Sequence, residues 1–91
     1  MSLPVDASQP GFAAGCRWGG TEEDRTVLFP EGVIKVAGTG RRILEACDGE
    51  RTFRDIVEEL QANYSASDPV RIREDVAKFL ADLRDKRIID Y

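Results

Sequence analysis

Apolar and polar positions change their period partway along the chain. Up to Val36 the apolar side chains alternate or fall in short clusters, as in strands; from Ile43 onward they recur at helical spacing. Ala14, Cys16 and Trp18 alternate with other residues, which predicts a half-buried strand over 14–18. Gly19-Gly20-Thr21-Glu22-Glu23-Asp24 reads as a polar loop, and Thr26-Val27-Leu28-Phe29 as a second strand. Phe29-Pro30-Glu31-Gly32 fits a type I turn, because proline fixes φ at the second position and glycine suits the fourth. Val33-Ile34-Lys35-Val36 then returns. Short strands in succession make an antiparallel meander, whose last member lies at an edge.

The helical half begins with Thr39 as a predicted cap, followed by Ile43, Leu44 and Cys47 on one face and a stop at Gly49. Thr52 caps a second helix, with Asp55 placed to complete a capping box. Phe53, Ile56, Val57 and Leu60 form its apolar stripe. Asp68 and Pro69 open the third helix, proline standing where a missing N–H costs nothing. Ile72, Val76, Phe79, Leu80 and Leu83 make its buried side, and Ile88-Ile89 follows as a short strand against the sheet. The expected fold is α+β and winged-helix-like, a three-stranded antiparallel sheet followed by three helices. Residues 1–13 carry small residues and prolines without a period and read as a flexible N-terminal tail, leaving 14–91 as one domain.

Composition narrows the partners. With 42% hydrophobic and 33% charged residues the chain is globular, and at 91 residues its core is small. A net charge of −4 has the wrong sign for nucleic acid, whose binding depends on cations that displace counterions. The same sign argues against an anionic membrane surface, and no apolar run approaches the ~20 residues that span a bilayer. The start of the chain lacks the basic-then-apolar layout of a signal peptide. The expectation is a cytoplasmic protein with reduced Cys16 and Cys47.

Candidate chemistry is sparse. Without histidine there is no Ser–His triad and no histidine base. Cys47 closes a helix, where the negative end of the dipole raises a thiol pKa, so it reads as a small buried apolar group. Gly38-Thr39-Gly40-Arg41-Arg42 resembles a phosphate loop only in outline. Ile43 stands where the dinucleotide fingerprint needs glycine, and the Gly-Lys-Ser/Thr of a P-loop is absent. The paired carboxylates lie on solvated faces, and Glu74, Lys78 and Asp82 have the spacing of helix-supporting ion pairs. No catalytic residue, metal site or cofactor is expected.

The edge strand is the feature with a functional reading. Val33, Ile34, Lys35 and Val36 would present unpaired backbone groups. Lys35 could simply blunt that edge against aggregation, or the edge could accept an extended peptide as a further strand.

Leu28-Phe29-Pro30-Glu31-Gly32-Val33-Ile34-Lys35-Val36, with Ile43-Leu44-Glu45, Cys47-Asp48-Gly49 and Thr52 after it, resembles the PqqD family of pyrroloquinoline quinone biosynthesis. The likeness runs on through Ile56-Val57, Leu60, Asp75-Val76, Phe79-Leu80 and Leu83, and covers about Cys16 to Ile89. It implies a non-catalytic peptide chaperone, a recognition element for a ribosomally made PqqA-like precursor. Such a protein presents the precursor to a PqqE-like radical S-adenosylmethionine enzyme, which supplies the iron–sulfur chemistry. It also implies that the precursor's leader adds as a strand between the third strand and the third helix. That places Val33, Ile34, Lys35 and Val36 on the peptide backbone. Arg71, Ile72, Asp75, Lys78, Phe79 and Asp82 face it from the helix. Asp75 matches the family's Asp-Val pair; the other polar helix positions follow from spacing. On this reading Ile34→Pro removes an edge N–H and abolishes binding. The chain departs from the family at Ala37, where a polar residue is common, and at Gly40, where alanine is. Those departures admit a related modified-peptide pathway. A winged-helix nucleic-acid binder is the rival, opposed by the mixed charges of the third helix. An edge strand is compatible with a monomer or a homodimer.

Overall fold

The computed structural model describes residues 3–91, so Met1 and Ser2, the start of the expected tail, lie outside the described residues. The elements are β1 (Gly11–Phe12), β2 (Arg17–Gly20), β3 (Arg25–Phe29), β4 (Gly32–Lys35), α1 (Gly38–Ala46), α2 (Phe53–Asn63), α3 (Pro69–Asp85) and β5 (Ile89–Asp90). The sheet β2-β3-β4 is antiparallel and precedes the three helices, giving the expected α+β architecture with β4 at an edge.

Within the sheet, Trp18 pairs with Val27 and Val27 with Ile34. This apolar row packs on the helices: Val27 is wholly buried, and Trp18 and Ile34 lie half-buried against the core. The first strand starts later than the alternation suggests. Residues 13–16 turn instead, with the Cys16 N–H donating to the Ala13 carbonyl, and β2 continues into the glycines read as loop. Gly20 ends it in a left-handed conformation, where a Cβ would collide with the Asp24 carbonyl oxygen. Phe29 pairs with Gly32, so Pro30-Glu31 forms a two-residue hairpin loop.

Thr39 is not a cap. Gly38 makes the bend out of β4 at φ 58°, the N-cap is Ala37 without a side-chain hydrogen bond, and Thr39 lies inside α1. The other two starts are as expected. Thr52 and Asp55 form a reciprocal capping box on α2, and the Asp68 carboxylate accepts from the Val70 N–H at 3.0 Å with Pro69 in the first turn of α3. Between α1 and α2, the Asp48 carboxylate accepts the N–H groups of Glu50 and Arg51, both at 2.9 Å. Those two bonds hold its pKa below the usual carboxylate value.

The described part of the expected tail is fixed. The Ser8 carbonyl accepts the Phe53 N–H at 2.7 Å and the Asp6 carbonyl accepts that of Arg54 at 3.2 Å, satisfying first-turn donors of α2. Pro10 is fully buried, and Gly11–Phe12 pairs with Ile89–Asp90 in a separate two-stranded sheet. The terminal strand therefore joins β1 and not the meander. Periodicity missed this segment because its stabilising groups are mainly backbone carbonyls. Phe53, Ile56, Leu80, Ile88 and Val27 are completely buried at the centre of the core, and no polar or charged residue is buried among the described residues.

Candidate functional site

The outward groups of the open edge follow from the phase of the β3–β4 ladder. The Val36 N–H donates to the Arg25 carbonyl at 3.1 Å, so Arg25 and Val36 are a hydrogen-bonded pair. Bonded and non-bonded pairs alternate in antiparallel sheets, and with the observed register Ile34 also bonds to β3, opposite Val27. Val33 and Lys35 consequently turn their N–H and C=O groups outward to the open edge. This corrects the proline argument: Ile34→Pro removes a bond inside the sheet, whereas the outward donors belong to Val33 and Lys35. The side chains alternate too. Ile34 and Val36 pack on the core, Val33 is 58% exposed, and Lys35 reaches Asp24 at 3.8 Å.

On α3 the six sequence-derived positions divide between two flanks. Ile72, Asp75 and Phe79 line an open, mainly apolar cleft of about 430 Å³, together with Val76. Its other walls are Thr39, Gly40 and Ile43 of α1, Leu60 and Tyr64 near the end of α2, and Ser67. Arg71 and Lys78 line a shallower polar depression on the adjoining flank, which Asp75 also borders. Arg71 sits 3.9 Å from Asp75, and Asp82 is tied to Lys86 at 3.0 Å, one turn further on. The α1 and α2 walls were not legible in the sequence, because three helices contribute a few residues each and no single stripe contains them.

The glycine-rich start of α1 is no anion cradle. Arg41 donates to the Glu22 backbone carbonyl at 2.6 Å and pairs with the carboxylates of Glu22 and Glu45, while Arg42 lies over the Tyr64 ring. A second concavity, of about 500 Å³, lies at the β3–β4 hairpin tip and includes Phe29, Arg84, Lys86 and Arg87. Two of its cations are already engaged, Arg84 with Asp90 at 3.6 Å and Lys86 with Asp82. Cys47 is buried, its thiol donating to the Ile43 carbonyl at 3.2 Å. Burial first, and then the Asp48 charge, push its pKa up to about 12, so it is no nucleophile at neutral pH. No group of three or more His, Cys, Asp and Glu among the described residues is placed to hold a metal ion.

Comparison with known proteins points one way. Residues 25–89 match the family described as Coenzyme PQQ synthesis protein D (PqqD). A PqqA binding protein of Stutzerimonas stutzeri is 37% identical over 73 residues, covering 78% of this chain and 77% of its own. One from Rhodopseudomonas palustris is 35% identical over 83 residues, covering 89% and 80%. Among solved structures, the chain resembles the PqqD truncation of Methylobacterium extorquens PqqCD, described as a functional, stand-alone recognition element for ribosomally synthesised, modified peptides. That likeness has a TM-score of 0.71 and 27% identity over 90% of this chain and 88% of the other.

Proposed function

The chain belongs to the PqqD family, and on that premise we propose that it binds a PqqA-like precursor peptide in pyrroloquinoline quinone biosynthesis. The peptide adds as a strand to the open edge of β4 and lies between that edge and α3. The observation that carries this reading is the pair of outward-facing backbone groups on Val33 and Lys35, on a strand whose Ile34 and Val36 are half-buried against the core. Strand addition draws affinity from backbone hydrogen bonds and specificity from alternate side chains, and this edge offers both. The protein performs no chemistry on the peptide in this reading. It presents the bound precursor to a PqqE-like radical S-adenosylmethionine enzyme, as family membership suggests.

The test is a titration of isotope-labelled protein with the PqqA precursor peptide, read by amide chemical shifts. The Val33 and Lys35 amides are expected to move most, since their protons gain a partner, with smaller changes along Ile72, Asp75 and Phe79. Unchanged signals at peptide concentrations on the order of tens of micromolar would remove the reading. Presentation is tested separately, by adding the radical enzyme to the labelled complex. Failure of the enzyme to bind the loaded protein would leave peptide binding standing and remove only the second step.

A further inference from the structure

Gly40 is the third residue of α1, yet its backbone makes no demand for glycine. Its φ is not in the left-handed region, unlike that of Gly38, and inside a helix glycine is less favourable than alanine. The space around it supplies a different reason. A Cβ at this position would lie 3.3 Å from Cζ and 3.5 Å from Cε1 of Phe79. The ring of Phe79 rests where a side chain at 40 would otherwise crowd it, and both residues line the same cleft.

The α1 wall of the cleft, Thr39 and Gly40, lies a few residues along the chain from the edge described above. From Lys35 the chain passes through Val36 and Ala37 directly into the turn of α1 that carries Thr39 and Gly40. A peptide strand paired with Val33 and Lys35 therefore runs, at its end nearer Ala37, toward the cleft. The floor there is Ile43, Leu60, Ile72, Val76 and Phe79, and the lining's one charge is Asp75. A negative rim over an apolar floor disfavours an acidic side chain and suits an apolar one.

Resting on the peptide-binding reading, we infer that this cleft takes one large apolar side chain of the bound precursor, and that Gly40 and Phe79 together set its size. Gly40 acts by keeping Phe79 back; Phe79 is the wall the side chain meets. Alanine at 40 obliges the Phe79 ring to give by a few tenths of an ångström, and in this inference it gives toward the cleft and narrows it.

The experiment compares the full-length protein with Gly40→Ala by titration calorimetry. The probes are the PqqA peptide and variants in which each apolar residue in turn becomes alanine. In the wild-type protein one such truncation is expected to weaken binding by about tenfold or more. Gly40→Ala should weaken the intact peptide several-fold while binding that truncated peptide as the wild type does. Gly40→Ala combined with Phe79→Leu should recover the loss, because the smaller side chain returns the space. Thermal unfolding of Gly40→Ala at or above the wild-type temperature shows that the loss is not one of folding. If that variant does not fold, Phe79→Trp narrows the cleft from the opposite wall and must give the same selective loss. An unchanged ratio between intact and truncated peptides in the narrowed protein overturns the inference but leaves strand addition intact. A wild-type protein that fails to bind the peptide at all overturns both.

Discussion

Val33 and Lys35 differ from Ile34 in which way their backbone groups point as well as in which face their side chains take, and the backbone difference decides what becomes of the N–H that a proline removes at each position. At Lys35 the lost N–H faces the open edge, and proline is tolerated on edge strands with the donor side toward solvent. Lys35→Pro should fold and lose peptide affinity by about tenfold, about 1.4 kcal/mol for the missing hydrogen bond. Lys35→Ala, which keeps the N–H, should lose little, since the ion pair to Asp24 is exposed. Ile34→Pro instead breaks the ladder to β3 and removes a side chain packed on the core, so its circular dichroism and unfolding midpoint should fall before binding is measured. Equal affinities for Lys35→Pro and Lys35→Ala would show that the edge donor is not used. A second prediction concerns the thiols. Cys47 is buried with its pKa pushed up to about 12 from the ordinary 9.0, whereas Cys16 is only partly covered. A thiol reagent at about pH 8 should therefore label one cysteine in the native protein and both after unfolding. The raised pKa also carries a sign: the unfolded thiol ionises first, so this contribution to stability is complete below pH 9.0 and is lost as pH climbs toward about 12. Replacing Cys47 by alanine should flatten that alkaline decline in a series of unfolding midpoints. A slope unchanged by the replacement would assign the decline to other groups.

At the scale of elements, the capping box on α2 is the most legible local device, and it is also testable. Thr52→Ala removes the hydroxyl that accepts the Asp55 N–H at 3.1 Å and should cost about 1 kcal/mol in urea unfolding. An effect near zero would mean that the backbone carbonyls of Ser8 and Asp6 already hold this helix end on their own. Helices α2 and α3 were readable because their starts combine side-chain caps with unbroken apolar stripes, both of which are sequence-local. The hairpin β3–β4 was readable for the same reason, through Pro30-Glu31-Gly32 between two apolar runs. The start of α1 was not, because a left-handed Gly38 stands in place of the side-chain cap that the residue type of Thr39 predicts. β2 was displaced for a related reason: the turn at 13–16 and the left-handed Gly20 set its ends, and alternation cannot register either. The site shows the same division. The edge strand and the α3 stripe were visible as patterns. The α1 and α2 walls of the cleft, and the outward phase of Val33 and Lys35, come from tertiary register and belong to no single segment.

For the whole molecule, the two ends of the chain close one seam. β1 pairs with β5, while the segment before β1 caps α2 through Ser8 and Asp6 and reaches α3 through the Asp6–Arg73 ion pair at 2.6 Å. A small domain has little stability to spare, so a seam holding both ends to two helices is a sizeable share of the total. Deleting residues 1–12 removes the buried Pro10 and the core-packed Phe12, leaves the Phe53 and Arg54 N–H groups to solvent and frees β5. The exposed ion pair adds little, so the loss comes from the uncovered apolar surface and the two helix-end hydrogen bonds, together roughly 2–4 kcal/mol. The deletion should lower the urea midpoint accordingly. It should leave the affinity of the still-folded fraction for the precursor peptide unchanged, because none of the described residues among them lines the α1–α3 cleft or pairs with β4. The family match begins only at residue 25 and contains β4, α1 and α3, so the N-terminal side of the seam lies outside the matched stretch. If truncation instead weakened peptide binding at a concentration where the protein remains folded, the N-terminal segment would have to be counted as part of the binding surface. An unchanged midpoint would mean that α2 draws its stability from the Thr52 box and the core alone.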